Sequence, residues 1–125
     1  MMITLLQVAL GGAIGASGRY LTGVLAVRLM GHGFPWGTLA VNVIGSFAMG
    51  VLVVVLAHYH ATRFAPLLMT GVLGGFTTFS AFSLDAVTLF QRGALGTAAL
   101  YVGASVALAL LGMVLGMIAA RGYFA

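Results

Sequence analysis

GVLGGFTTFSAFS, residues 71–83, sits inside an apolar run bounded by Arg63 and Asp85 that is long enough to enter a bilayer. Its glycines at 71, 74 and 75 each weaken a helix by about 1 kcal/mol relative to alanine, and Thr77 and Thr78, which follow, are poor helix formers too. An interruption near the centre of this span is therefore expected. Non-helical backbone at membrane depth persists only where protein buries it or where it lines a cavity, because each unsatisfied N–H or C=O in hydrocarbon costs several kcal/mol. Next comes a three-residue repeat that sets Phe76, Phe79 and Phe82 along one edge and Thr77, Ser80 and Ser83 along the adjacent one, since positions three apart are helix neighbours. The expectation is a ladder of rings beside a ladder of hydroxyls, next to freed backbone carbonyls.

The surrounding composition requires a membrane setting. Of 125 residues, 62% are hydrophobic and 5% charged, against about 25% charged in soluble domains. With no cysteine, disulfides, thiolate metal sites and cysteine nucleophiles are excluded. The net charge of +4 comes from five arginines spread singly along the chain, so there is no basic patch to bind nucleic acid. The first twenty residues carry no basic segment ahead of their apolar run, which predicts a first span rather than a cleaved leader.

Four spans are expected in one transmembrane domain covering 1–125, at about 3–28, 36–57, 66–90 and 94–120, an all-α membrane fold with the third helix broken near its centre. In the first, Arg19 either snorkels to the headgroups or lies at the base of a water-filled vestibule, while Gly11 and Gly15 have the spacing of a close-packing pair. Pro35 and Pro66 suit the starts of the second and third spans, and Trp36 suits an interface. Thr38, Asn42 and Ser46 form a polar stripe along one face of the second span. The Asn42 amide serves either as interhelical glue or as a donor facing a permeating anion. Asp85, the only carboxylate, is expected to face the aqueous end of its helix or to pair with an arginine. The His58–Tyr59–His60 turn lacks a third metal ligand nearby. The fourth span carries Tyr101 and Ser105 on one face and a second glycine pair, Gly112 and Gly116.

Four spans place Arg63 and Arg121 on one side of the membrane and Arg28 and Arg92 on the other. Orientation follows the excess of Lys and Arg on the cytoplasmic side, and two against two gives almost no preference, so the chain is expected to insert both ways round. Two copies in opposite orientation would generate the inverted symmetry common in transport proteins, which predicts an antiparallel homodimer in membrane lipid. No nucleophile, base and orienting group can be assembled for catalysis. A proton-coupled multidrug-type exporter, the alternative reading, needs an embedded carboxylate relay, for which only Asp85 is at hand. What remains is donors and ring edges. Aromatic edges are electropositive, so Phe79 and Phe82 beside Asn42 and hydroxyls make an anion site without a full charge, as suits a channel that must also release its ion.

GGFTTFSAFS, with Asn42, Arg19 and the Gly37–Thr38 pair, resembles the CrcB/Fluc family of fluoride channels over nearly the whole chain. The resemblance implies a dual-topology dimer with two antiparallel pores in the bacterial inner membrane, exporting fluoride passively after HF has entered from an acidic medium and dissociated. It implies that Phe79 and Phe82 present ring edges to fluoride, that Asn42 is the pore amide and Arg19 the vestibule arginine. Tyr101 and Ser105 fit the polar track of the fourth helix, whose next position is Ala109 here, so that Thr38, another hydroxyl or water takes the place of a missing hydroxyl. The interrupted segment is similar to the family's central sodium site, which implies that the main-chain carbonyls of Gly74 and Thr77 from both subunits hold one Na+.

Overall fold

In the computed structural model, which describes all residues 1–125, the chain is helical almost throughout. α1 spans Met2–Met30 and α2 spans Trp36–His58. A short 3-10 turn at Thr62–Phe64 leads to α3, a π-wound stretch Pro66–Leu73 that runs into one α turn, Gly74–Phe76. α4 is Phe79–Gln91 and α5 is Leu95–Phe124. The ends follow from local chemistry. Gly31, after α1, adopts φ 77, a left-handed conformation that costs glycine nothing. Pro66 stands in the first turn of α3, where its missing N–H has no helical partner to lose. Pro35 lies one residue before the first turn of α2, at its N-cap.

Three stretches are long and apolar enough to cross a membrane: Trp36–His58, Thr62–Gln91 and Leu95–Phe124. α1 matches them in length at 29 residues, about 43 Å at 1.5 Å per residue, but Gln7, Ser17, Arg19, Thr22 and Arg28 dilute its apolarity. Two of its hydroxyls are satisfied within the helix, Ser17 donating to the Ala13 carbonyl at 2.7 Å and Thr22 to that of Gly18 at 2.8 Å.

Two helix pairs make the frame: α2 packs on α5, and α1 packs on α3. Glycines set how close they come. A Cβ placed on Gly15 would collide with the Val72 carbonyl oxygen, and one on Gly45 would collide with the Thr77 methyl. Gly11 meets the backbone of α3 in the same way, and Gly112 and Gly116 meet the Val43 and Phe47 carbonyls of α2, so both glycine pairs serve close backbone approach. Aromatic groups close the ends of the α2–α5 pair. Phe34 lies 4.6 Å from Trp36 and edge-on to Tyr101 at 5.5 Å. At the opposite end His58 stacks flat on Phe124 at 3.8 Å, with Tyr59 edge-on to both, so this histidine completes an aromatic cluster.

Only 16 of the 125 residues are buried in the single chain, too few for a water-soluble core, so the remaining apolar surface faces lipid or other protein. Because the atoms facing Gly15 are backbone, a valine there should lower thermal stability by about 1–3 kcal/mol through overpacking and reduce the yield of folded protein. Gly12→Ala, whose Cβ would meet nothing within 4 Å, should melt like the parent in the same detergent scan.

Candidate functional site

Helical geometry stops after Phe76 and resumes at Phe79. Thr77 (φ −85, ψ 157) and Thr78 (φ −153, ψ 124) are both extended. The glycines behind the sequence expectation remain helical, and the departure falls on the two threonines. Asn42 holds it in place. Its Nδ2 donates to the Thr78 carbonyl at 2.9 Å, and its Oδ1 accepts from the Thr78 N–H at 2.7 Å. One amide thus replaces both partners that a helix would have supplied to Thr78. The Thr78 hydroxyl caps α4 by accepting from the Ala81 N–H at 3.2 Å.

These bonds release two carbonyls. In a regular helix the N–H groups of Thr78 and Ala81 would go to the oxygens of Gly74 and Thr77. Here they go to Asn42 and to the Thr78 side chain instead. A neighbouring oxygen finds a different donor, as Arg19 Nε donates to the Gly75 carbonyl at 3.1 Å. This ties the α1 arginine to the end of α3.

The continuous ring ladder expected along residues 76–83 does not form, because the extended pair turns Phe76 away from Phe79 and Phe82. A Cβ on Gly18 or on Gly45 would lie 3.5 or 3.4 Å from the Phe76 ring, which places that ring between α1 and α2. Thr77 likewise leaves the hydroxyl row and donates back to the Leu73 carbonyl at 2.9 Å. Phe79 and Phe82 do stay together, with centroids 5.5 Å apart and planes at 52°.

Those two rings, with Asn42 and Ser46 of α2 and Ser105 and Ala109 of α5, line an open groove of about 360 Å³. Ser105 Oγ is buried and has no hydrogen-bond partner. Asn42 has one amide hydrogen to spare after bonding Thr78. Phe79 is 77% exposed in the single chain. A second cavity, of about 560 Å³, is lined by Arg19 and Thr38, so Thr38 stands with the arginine and apart from the phenylalanine groove. Thr78 lines both cavities. Sequence reading did not single out Thr78 or Ser46 as site residues. Ser46 was visible as the end of the polar stripe, but nothing in the Thr-Thr pair distinguished Thr78 from its neighbour.

Tyr101 is not among the groove residues. It is 0% exposed, packs on Phe82 at 5.3 Å, and donates its hydroxyl proton to Asp85 Oδ2 at 3.1 Å. The partner of Asp85 is therefore a tyrosine instead of the arginine or open water expected from sequence. The contact joins α4 to α5 directly behind the rings, since α4 carries both Phe82 and Asp85.

Comparison with known proteins bears on this arrangement. The family model described as CrcB-like protein, Camphor Resistance (CrcB), matches residues 6–117. The chain belongs to the CrcB family. Relatives named fluoride-specific ion channel FluC cover it end to end: one from Cereibacter sphaeroides is 67% identical over 125 residues, covering 100% of both chains. Another from a Ruegeria species is 63% identical over 123 residues, 98% of each, and one from Paracoccus denitrificans is 54% identical over 125 residues, 100% of each. CrcB proteins are channels and not enzymes.

In this CrcB chain the Asn42 clamp is the element to perturb. Asn42→Asp keeps the acceptor for the Thr78 N–H but sets an oxygen against the Thr78 carbonyl. It should cost about 1–3 kcal/mol and speed hydrogen exchange at the Thr78 amide. Exchange at parental rates would show that the amide is not what holds the extended pair.

Proposed function

We propose that this chain forms a fluoride-selective channel that lets fluoride leave the cytoplasm passively, down its gradient, and so limits its toxicity. The observation that carries the reading is the groove itself. It gathers a buried serine hydroxyl without a partner, an amide with a spare hydrogen and two phenyl rings, with no charged side chain among its lining residues. Fluoride is small and strongly hydrated, so it exchanges its water shell only for several closely placed donors. Hydroxyl and amide protons with electropositive ring edges supply them. A lysine or arginine in the same place would bind the ion too firmly for conduction, which requires release as well as entry. The names of the relatives point to the same ion.

In this reading all four helical segments, with the third interrupted at Thr77 and Thr78, cross the bacterial inner membrane as a single channel domain. Two copies assemble as an antiparallel homodimer with two pores. Support comes from the open side of the groove, where Phe79 is mostly exposed in one chain and a second protein surface would complete a wall. Asn42, Phe79, Phe82 and Ser105 act as the fluoride ligands, while Arg19 and Thr38 serve the approach. Tyr101, whose single proton goes to Asp85, contributes by fixing the ring of Phe82. The carbonyls of Gly74 and Thr77, released from their helical donors, suit a hard cation such as Na+ shared between subunits. When bound, that ion would neutralise main-chain oxygens which a dry interface leaves unsatisfied. The exporter alternative is not favoured, because the sole carboxylate is engaged by Tyr101 and the relatives are named as channels.

The test is efflux from proteoliposomes loaded with fluoride or chloride. Wild-type protein should empty the fluoride vesicles selectively, and Phe79→Ile or Phe82→Ile should cut the fluoride rate by at least about tenfold, as loss of pore contacts of a few kcal/mol implies. Retention of internal fluoride by wild-type vesicles would end the reading. For the cation, replacing Na+ with N-methylglucamine should lower the melting temperature of the dimer, and an unchanged melt would remove it from the assembly.

A further inference from the structure

The cavity that adjoins the groove is lined by two arginines, Arg19 and Arg28, together with Thr38 and Thr78 and with no carboxylate. The two guanidiniums are in different situations. Arg19 is half-buried and bonded to the Gly75 carbonyl at the inner end. Arg28 lies nine residues further along α1, about 13 Å of helix axis, in the last turn and exposed. The chain's only carboxylate, Asp85, takes its hydrogen bond from Tyr101, so nothing in the cavity offsets either charge. Thr78 lines the cavity and the groove alike, so an anion gathered here is one residue away from the ring pair.

We propose that Arg28 is the outer anion-capturing residue of this cavity, raising the local fluoride concentration at the mouth while Arg19 anchors the inner end. The proposal rests on the channel reading and adds a second, exposed cation to the single arginine that reading uses. A charge in an aqueous mouth acts over the Debye length, about 30 Å at 0.01 M salt and about 8 Å at 0.15 M. Its contribution to capture is therefore strong when salt and fluoride are scarce and is lost when either is plentiful. Two other uses of an arginine in this place are distinguishable from capture. Complementing the carboxyl end of α1 would affect stability, and snorkelling to lipid phosphates would depend on anionic lipid.

Reconstituted dimer carrying Arg28→Gln or Arg28→Lys provides the test, with initial fluoride flux measured across fluoride concentrations at two ionic strengths. At about 0.01 M salt and sub-millimolar fluoride, Arg28→Gln should slow flux roughly threefold, as expected for one unit charge acting through water. Arg28→Lys should match the parent. The difference should vanish at about 0.3 M salt, where screening is nearly complete, and at saturating fluoride. Parental flux in Arg28→Gln under the dilute condition would overturn the proposal. So would a loss that is independent of ionic strength, or one that follows the content of anionic lipid. Absence of flux in the wild-type protein would instead overturn the channel reading, so the two failures are separable.

Discussion

The structure depends on two hydrogen bonds made by one side chain. The Asn42 amide takes the N–H of Thr78 and gives a proton to its carbonyl, and this lets two extended residues exist in a stretch otherwise built of helix. In water such a pair would add about 1 kcal/mol each and could be lost without much effect. In hydrocarbon the alternative is an unsatisfied main chain at several kcal/mol per group, so the clamp becomes a condition for the conformation. Everything near the groove is arranged from it. The start of α4 is set by the Thr78 hydroxyl, the rings of Phe79 and Phe82 follow from that start, and the Gly74 and Thr77 oxygens are released by the same exchange of donors.

Around this clamp, close backbone contact takes the place that side-chain packing fills in soluble proteins. α1 meets α3 through Gly11 and Gly15, α2 admits the Thr77 methyl at Gly45, and α5 meets α2 through Gly112 and Gly116. In lipid no hydrophobic gain drives helices together, and small residues at the contact let dispersion and short polar contacts act over the whole length. The outward faces are mostly apolar, and the hydroxyls that lie on them, such as those of Ser17 and Ser83, bond back to carbonyls of their own helices.

Much of this was legible in the sequence, and its limits have physical causes. Composition and uninterrupted apolar runs gave the helices, because few other structures satisfy the main chain in a bilayer. Three of them meet the length and apolarity that spanning demands, and the first is more polar than its length suggested. Asn42, Phe79, Phe82 and Ser105 converge on one groove, since the helical repeat places them on facing sides of α2, α4 and α5. Periodicity failed where the helix did. Phe76 and Thr77 were assigned to ladders on the assumption of continuous winding, and two extended residues sent them elsewhere. The Tyr101–Asp85 bond depends on how α4 and α5 are stacked, and the separate cavity of Thr38 on how α1 meets α2 and the start of α4, which no spacing within one helix encodes.

Thr78 has its main-chain nitrogen, its main-chain oxygen and its hydroxyl all engaged within the chain. Such a residue has no freedom left to vary, and neither has the amide that grips it. Ala109, on the opposite wall, is a small side chain bordering open space. Diversification of the ion path is thereby channelled to walls of that kind, where a group can grow or acquire a hydroxyl without disturbing the frame. The fold separates a threshold that evolution must leave alone from a lining that it is free to retune.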